Sequence, residues 1–194
     1  MLENKEYKLM FPEAGDTGLI ESAVNLVDSF YQQKLMLAAD KDHYKELAKD
    51  KKLVIAIGMN GDVVGTTAYV QHYPKDIWEF GGWAVDCNFQ KIGMGVNLIK
   101  KLFTENLHWK TIAFGNKNSG PIFHKFGATV VKDHSIIPEE AFALCLTCPN
   151  KPKVGCCDTI YNLGPIVVGF NSENMTPKQL ATLLGEIKQQ AWEK

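Results

Sequence analysis

Gln90-Lys91-Ile92-Gly93-Met94-Gly95 is the stretch on which the fold of this 194-residue chain turns. Before it runs Ile77 to Val85, apolar and aromatic, which reads as a strand. After it, Val96, Leu98, Ile99, Leu102, Phe103 and Leu107 recur at helical spacing, which predicts a helix from Gly93 to Leu107. The six residues therefore form a loop that ends a strand and starts a helix. Such a loop exposes unpaired backbone N–H groups at the positive end of the helix dipole, where a phosphate satisfies them. Gly93 and Gly95 let the backbone approach an anion with no side chain between. The chain makes this more pointed, because all 21 of its basic residues are lysine and it has no guanidinium fork to offer. A dinucleotide-binding loop fits less well. Gly93-Met94-Gly95-Val96-Asn97-Leu98 lacks a third glycine and follows a run of strands rather than opening a βαβ unit.

Outward toward the N-terminus, Leu53 to Ile57 and Val63 to Tyr73 read as a strand pair across the turn Asn60-Gly61-Asp62. Leu19, Ile20, Ala23, Leu26, Val27 and Phe30 mark an amphipathic helix with Asp16-Thr17 at its N-cap. Lys41 to Lys49 is a second, shorter helix, and Tyr7 to Phe11 a short opening strand. Gly81-Gly82 inside the Ile77 to Val85 strand predicts a bulge or a close backbone approach. Toward the C-terminus come a strand Thr111 to Phe114, a short helix Ser119 to Phe126 closed by Gly127, and strands Ala128 to Val131 and Ala141 to Cys148. The loop Pro149 to Gly155 follows, then a strand Ile160 to Phe170 and a helix from Thr176-Pro177 to Trp192.

This order, with Trp83-Ala84-Val85 leading into Gln90-x-x-Gly93-x-Gly95, resembles the GNAT superfamily of N-acyltransferases. The resemblance implies an α/β (α+β) fold with a mixed, mostly antiparallel central sheet flanked by helices. It implies one domain over 1–194, with a core of about 5–148 and a C-terminal strand and helix extension over about 158–194. It further implies that Trp83, Ala84, Val85, Gln90, Lys91, Ile92, Gly93, Met94, Gly95 and Val96 contact coenzyme A, with acetyl-CoA as co-substrate and no metal. Downstream, Asn116 stands eleven residues before Gly127, where the superfamily has an asparagine that bonds the cofactor arm, and the resemblance extends the expected coenzyme A contacts to Asn116, Ser119 and Phe123. Asn116 has a second reading, as a loop residue satisfying its own backbone. Phe123 is a departure: it occupies the place of a tyrosine credited with protonating the departing thiolate, so a general acid there is in doubt.

Amine acylation also needs a base and a polarised thioester carbonyl. Backbone N–H groups around Ala84 and Val85 are candidates for the second task. Glu79 is the one carboxylate within the strand leading to the loop and is the candidate base; His72 and His124 are alternatives because imidazole titrates near neutral pH. Trp78, Phe80 and Trp83 either line an apolar pocket or belong to the core. Cys145-x-x-Cys148 with Cys156-Cys157 invites a zinc reading, but i and i+3 on a strand point to opposite faces, and small buried thiols explain most of the pattern.

Composition narrows the partners. A net charge of −1 leaves no electrostatic footprint for nucleic acid. The first residues lack a signal-peptide pattern and no apolar run approaches the roughly 18 residues of a membrane span, so the expected setting is cytoplasmic, away from the membrane. The expected function is N-acetyl transfer from acetyl-CoA to a primary amine by direct attack in a ternary complex, the acceptor being a small molecule or a peptide. The alternatives are a noncatalytic acyl-CoA-binding module or sensor, and an N-acyltransferase using a longer acyl-CoA or an acyl carrier protein. Oligomeric state stays open, a homodimer being one option.

Overall fold

The structure, a computed structural model, describes residues 6–106, 110–116, 118–132, 135, 137–143 and 159–163. The elements come in the order β1 (Tyr7–Met10), α1 (Thr17–Gln32), α2 (Lys41–Lys49), β2 (Leu53–Gly58), β3 (Val63–Tyr73), β4 (Ile77–Val85), α3 (Met94–Glu105), β5 (Lys110–Gly115), α4 (Gly120–Lys125), β6 (Thr129–Val130) and β7 (Thr159–Asn162). This is a mixed α/β architecture whose described strand pairs are antiparallel except for β4 with β5. The chain divides into two compact units, Met1–Val70 with Gly81–Asn106 and Gln71–Phe80 with Leu107–Lys194.

In the first unit β1 pairs with β2 and β2 with β3, both antiparallel, with a register shift at Ala56/Ile57. The predicted stripe of α1 carries its core: Ile20, Ala23 and Val27 bury against Tyr44 and Leu47 of α2 and against Leu53, Ile55 and Ala68 of the strands, with Ala84 of β4 in the same cluster. Each isoleucine, leucine or valine among them, once buried, contributes about 1.5–3 kcal/mol. The helix starts differ in chemistry. Asp40 caps α2 by accepting from His43 N at 2.7 Å, as an N-cap acid should. Asp16, expected to cap α1, instead turns its carboxylate back to accept from Glu13 N at 2.9 Å. The paired glycines of β4 answer to close approach: Gly81 faces Val70, and Gly82, at φ +56, lies under the hydroxyl of the buried Tyr44.

In the second unit β4 runs parallel to β5, from Ile77↔Lys110 to Glu79↔Ile112. β5 pairs antiparallel with β7, and β7 with β6. Tyr73, Ile77, Ile112, Val131, Ile137, Ala141 and Ile160 form its core. One expected strand is overturned at its start. Glu139–Phe142 form a 3-10 turn after Pro138, because Ala141 buries into this core and Phe142 sets its ring edge-on to Phe114 at 6.0 Å, a placement that straight strand alternation does not give. The rest of that strand, the loop 149–155, the strand beyond Leu163 and the C-terminal helix fall outside the described residues.

Candidate functional site

In the first unit, the end of β4 is tied down before the chain turns. Asp86 N donates to Val64 O at 2.9 Å, and the Asp86 carboxylate accepts from Asn88 N at 2.8 Å, so Cys87–Phe89 closes as a 3-10 turn. Gln90 then folds its side chain backward and donates from Nε2 to Val85 O at 2.9 Å. It thereby joins the two ends of the loop, a role its place in the motif does not reveal.

The next residues set the backbone. Lys91 has φ 65 and Gly93 has φ +88, both left-handed, with Ile92 between them. A lysine held there costs about 1–2 kcal/mol, so the local structure must over-determine it. Left-handed residues beside right-handed ones are the ingredient of an anion nest, in which successive amides turn toward one side. Helix α3 opens from Gly93 with no side-chain cap and no acidic residue in its first turn. Its first internal bond is Asn97 N to Gly93 O at 3.0 Å, so the amides preceding Asn97 have no carbonyl one turn back to meet. The buried Met94 anchors this turn in the core.

Gly93 and Gly95, grouped together by the sequence, are glycines for different reasons. Gly93 has open space around it and needs its backbone angle. Gly95 needs room: a Cβ there would meet the Trp83 ring at 2.9 Å, and Trp83 Nε1 donates to Gly95 O at 3.2 Å. Trp83 is thus a brace beneath the helix start. Ala84 is buried in the core and Val85 gives its carbonyl to Gln90, while Val96 and Ile92 are partly buried.

In the second unit, Glu79 pairs with Ile112 as the last residue of β4 in the β4–β5 ladder. Its carboxylate accepts from the hydroxyl of Tyr73. Burial pushes the Glu79 carboxyl above the usual carboxylate range, and the Tyr73 hydrogen bond pulls it part of the way back. His72 lies flat on Trp78, with ring centroids 4.1 Å apart, and its Nε2 is 3.0 Å from Asp76 Oδ1. His124 places Nδ1 3.2 Å from Ala128 O and its ring edge-on to Tyr161. All three candidate bases are thus engaged: His72 with Asp76 and Trp78, His124 with Ala128 O and Tyr161, and Glu79 with the Tyr73 hydroxyl. Trp78 and Phe80 are buried, on the core reading of the strand aromatics.

Asn116 Oδ1 accepts from Asn118 N at 2.9 Å and Ser119 N at 3.2 Å, and Ser119 Oγ accepts from Asn116 N at 2.9 Å. The carbonyl oxygen of that side chain is used to shape the turn into α4, while its amide Nδ2 has no partner among the described residues. Phe123 is buried, its ring edge-on to Phe80 at 5.9 Å and tilted on Tyr161 at 5.3 Å. The tyrosines were missed by the sequence reading. Tyr44 and Tyr161 gain their roles from residues distant in the chain, and Tyr73 from Glu79 across the strand turn, which no periodicity signals.

Among the described residues, no group of three or more His, Cys, Asp or Glu side chains could hold a metal ion, and no helix is long and apolar enough to cross a membrane. Cys145, Cys148, Cys156 and Cys157 lie outside the described residues.

No family model and no curated protein matches the sequence. Solved structures do. N-acetylglutamate synthase from Neisseria gonorrhoeae, complexed with coenzyme A and N-acetyl-glutamate, aligns at TM-score 0.62 and 16% identity over 82% of this chain and 35% of its own. This chain thus matches only about a third of that protein. A GNAT-family acetyltransferase from Staphylococcus aureus aligns at TM-score 0.57 and 13% identity, over 81% of this chain and 99% of its own. Diaminobutyrate acetyltransferase from Paenibacillus lautus, in complex with L-2,4-diaminobutyric acid and coenzyme A, aligns at TM-score 0.57 and 14% identity, over 84% and 97%. At these identities the likeness establishes the fold, which is that of the GNAT acetyltransferases.

Proposed function

We propose that this chain is an acetyl-CoA-dependent N-acetyltransferase acting on a primary amine. The observation that carries the reading is the start of α3, where uncapped first-turn amides follow left-handed Lys91 and Gly93 with no acidic residue in that turn to compete. These residues fit a pyrophosphate: the amides supply donors, the helix dipole favours negative charge, and no side chain fills the space beside Gly93. Val85 to Val96 would hold that group, with the Lys91 ammonium adding charge. Solved structures of the same fold hold coenzyme A, which supports the choice of cofactor.

Bound acetyl-CoA would supply an acetyl group activated as a thioester. The protein's share of the reaction is assigned as follows. Glu79, ionised, takes a proton from the amine as nitrogen bonds to the carbonyl carbon and the carbon–sulfur bond breaks. Its raised pKa makes it a stronger proton acceptor than an ordinary carboxylate. Asn116, through its uncommitted Nδ2, donates to the amide of the pantetheine arm. Phe123 carries no exchangeable proton and serves packing, so the leaving thiolate is not protonated from that position.

The acceptors to try first are amino acids with a free amine, since two of the solved structures sharing the fold hold an amino acid or its acetylated product. Phe123 also favours a second reading, a module that binds acyl-CoA without turning it over. Calorimetry separates the cofactor assignment from chance: coenzyme A is expected to bind and pantetheine, which lacks the pyrophosphate, to bind far more weakly. Equal affinity for the two would remove the anion nest from the account. Thiol release across an amine panel then divides enzyme from binding module.

A further inference from the structure

The hairpin end Gln71–Phe80 carries more fixed structure than a connection between two strands requires. Its turn, Pro74–Asp76, holds both Lys75 (φ 64) and Asp76 (φ 58) in the left-handed region. The strain is held by three attachments. Trp78 Nε1 donates to Asp76 Oδ1 at 3.1 Å, His72 Nε2 stands 3.0 Å from the same oxygen, and Lys110 Nζ of β5 donates to Lys75 O at 3.4 Å. Tyr73, the last residue of β3, is buried in the second core with Ile77 and Ile112. Its hydroxyl reaches Glu79.

We propose that Tyr73 is a positioning residue for the reaction, its hydroxyl holding the Glu79 carboxylate in one orientation as proton acceptor. This rests on the reading of Glu79 as the base. The chemistry is specific to the ionised acid. A phenol donates one proton, and an ionised carboxylate only accepts, so the bond is strongest in the state a base must occupy before it acts. Burial alone drives Glu79 toward its neutral form; the Tyr73 bond opposes this. Among the described residues, the other titratable side chains of the hairpin end and of β5 are His72 and Asp76, engaged with each other and with Trp78, Lys75 in the turn, and Lys110, engaged with Lys75 O. Burial and Tyr73 are the two causes of the Glu79 shift, and none of these charges is among them.

The test pairs Tyr73→Phe with Glu79→Gln and reads the pH dependence of kcat/KM, beside a ¹³C NMR titration of the Glu79 carboxyl that needs no acceptor. Phenylalanine keeps the ring that the core packs, so the fold should survive. The expected result is an acid limb displaced to higher pH in Tyr73→Phe with a lowered plateau, and a carboxyl resonance displaced the same way. Site-specific difluorotyrosine at position 73, a more acidic and stronger donor, should move the resonance to lower pH. Coincident titrations of wild type and both variants, with Glu79→Gln inactive, would overturn the role of Tyr73 and leave Glu79 as the base. A Glu79→Gln enzyme with an unaltered profile would instead remove the base itself, and this inference with it.

Discussion

The start of α3 and the hairpin end at Tyr73–Glu79 solve two different problems with two different parts of the chain. On the proposed function the working groups at α3 would be main-chain amides, with side chains holding the loop around them: Gln90 closes it, Trp83 supports Gly95, Met94 anchors the turn. At the hairpin the proposed working group is one carboxyl, Glu79, which a strained backbone turn and the side chain of a buried tyrosine would hold. A site made of backbone tolerates changes of side-chain identity as long as φ and space are kept. A site made of one side chain does not.

Each half of that contrast can be broken separately. The largest effect is expected at Glu79→Gln, which should lower kcat/KM by about 10²–10⁴-fold if the general base is lost, with the acid limb of the rate profile flattened. Stability should change in a matching way. Because the folded Glu79 holds its proton above the ordinary carboxylate range, the folded state binds more protons there than the unfolded chain. Stability of the wild type should therefore fall as pH rises through that window and level off above the folded value. Denaturant titrations across pH should show this slope missing from Glu79→Gln.

Next in size is Gly93→Asp. Aspartate tolerates the left-handed region better than most residues, so the fold should persist, while its charge meets the phosphate and the first-turn amides. Coenzyme A affinity is expected to drop by about 100-fold, equivalent to about 2.7 kcal/mol; calorimetry that finds it unchanged would move the cofactor elsewhere. Gly95→Ala should act through packing instead, costing about 1–3 kcal/mol in chemical denaturation as the methyl meets Trp83. Adding Trp83→Phe to it should recover part of that loss, and failure to recover would show that Gly95 is a glycine for another reason. The smallest effect belongs to Asn116→Ala, about 1 kcal/mol from the turn it shapes. A weakening of coenzyme A binding beyond that stability loss is the part that would assign Nδ2 to the cofactor.

The element order was open to the sequence, and α2, β3 and β4 lie where periodicity and turn residues put them. So was the loop at Gln90 to Gly95, because a strand-to-helix junction with glycines is a local pattern. The boundaries failed where packing competes with propensity, as at Ala141, whose burial draws it into a turn. Asn116 answers to the backbone reading for its oxygen, which only the direction of its side chain could decide.

From sequence alone came the helix start that exposes its amides, since glycine and periodicity act over a few neighbours. What tertiary structure decided was which glycine needs an angle and which needs room, and which hydroxyl meets Glu79. Those depend on side chains brought together from separate strands and helices, and the contacts they make are properties of packing in space that the linear order of residues does not express.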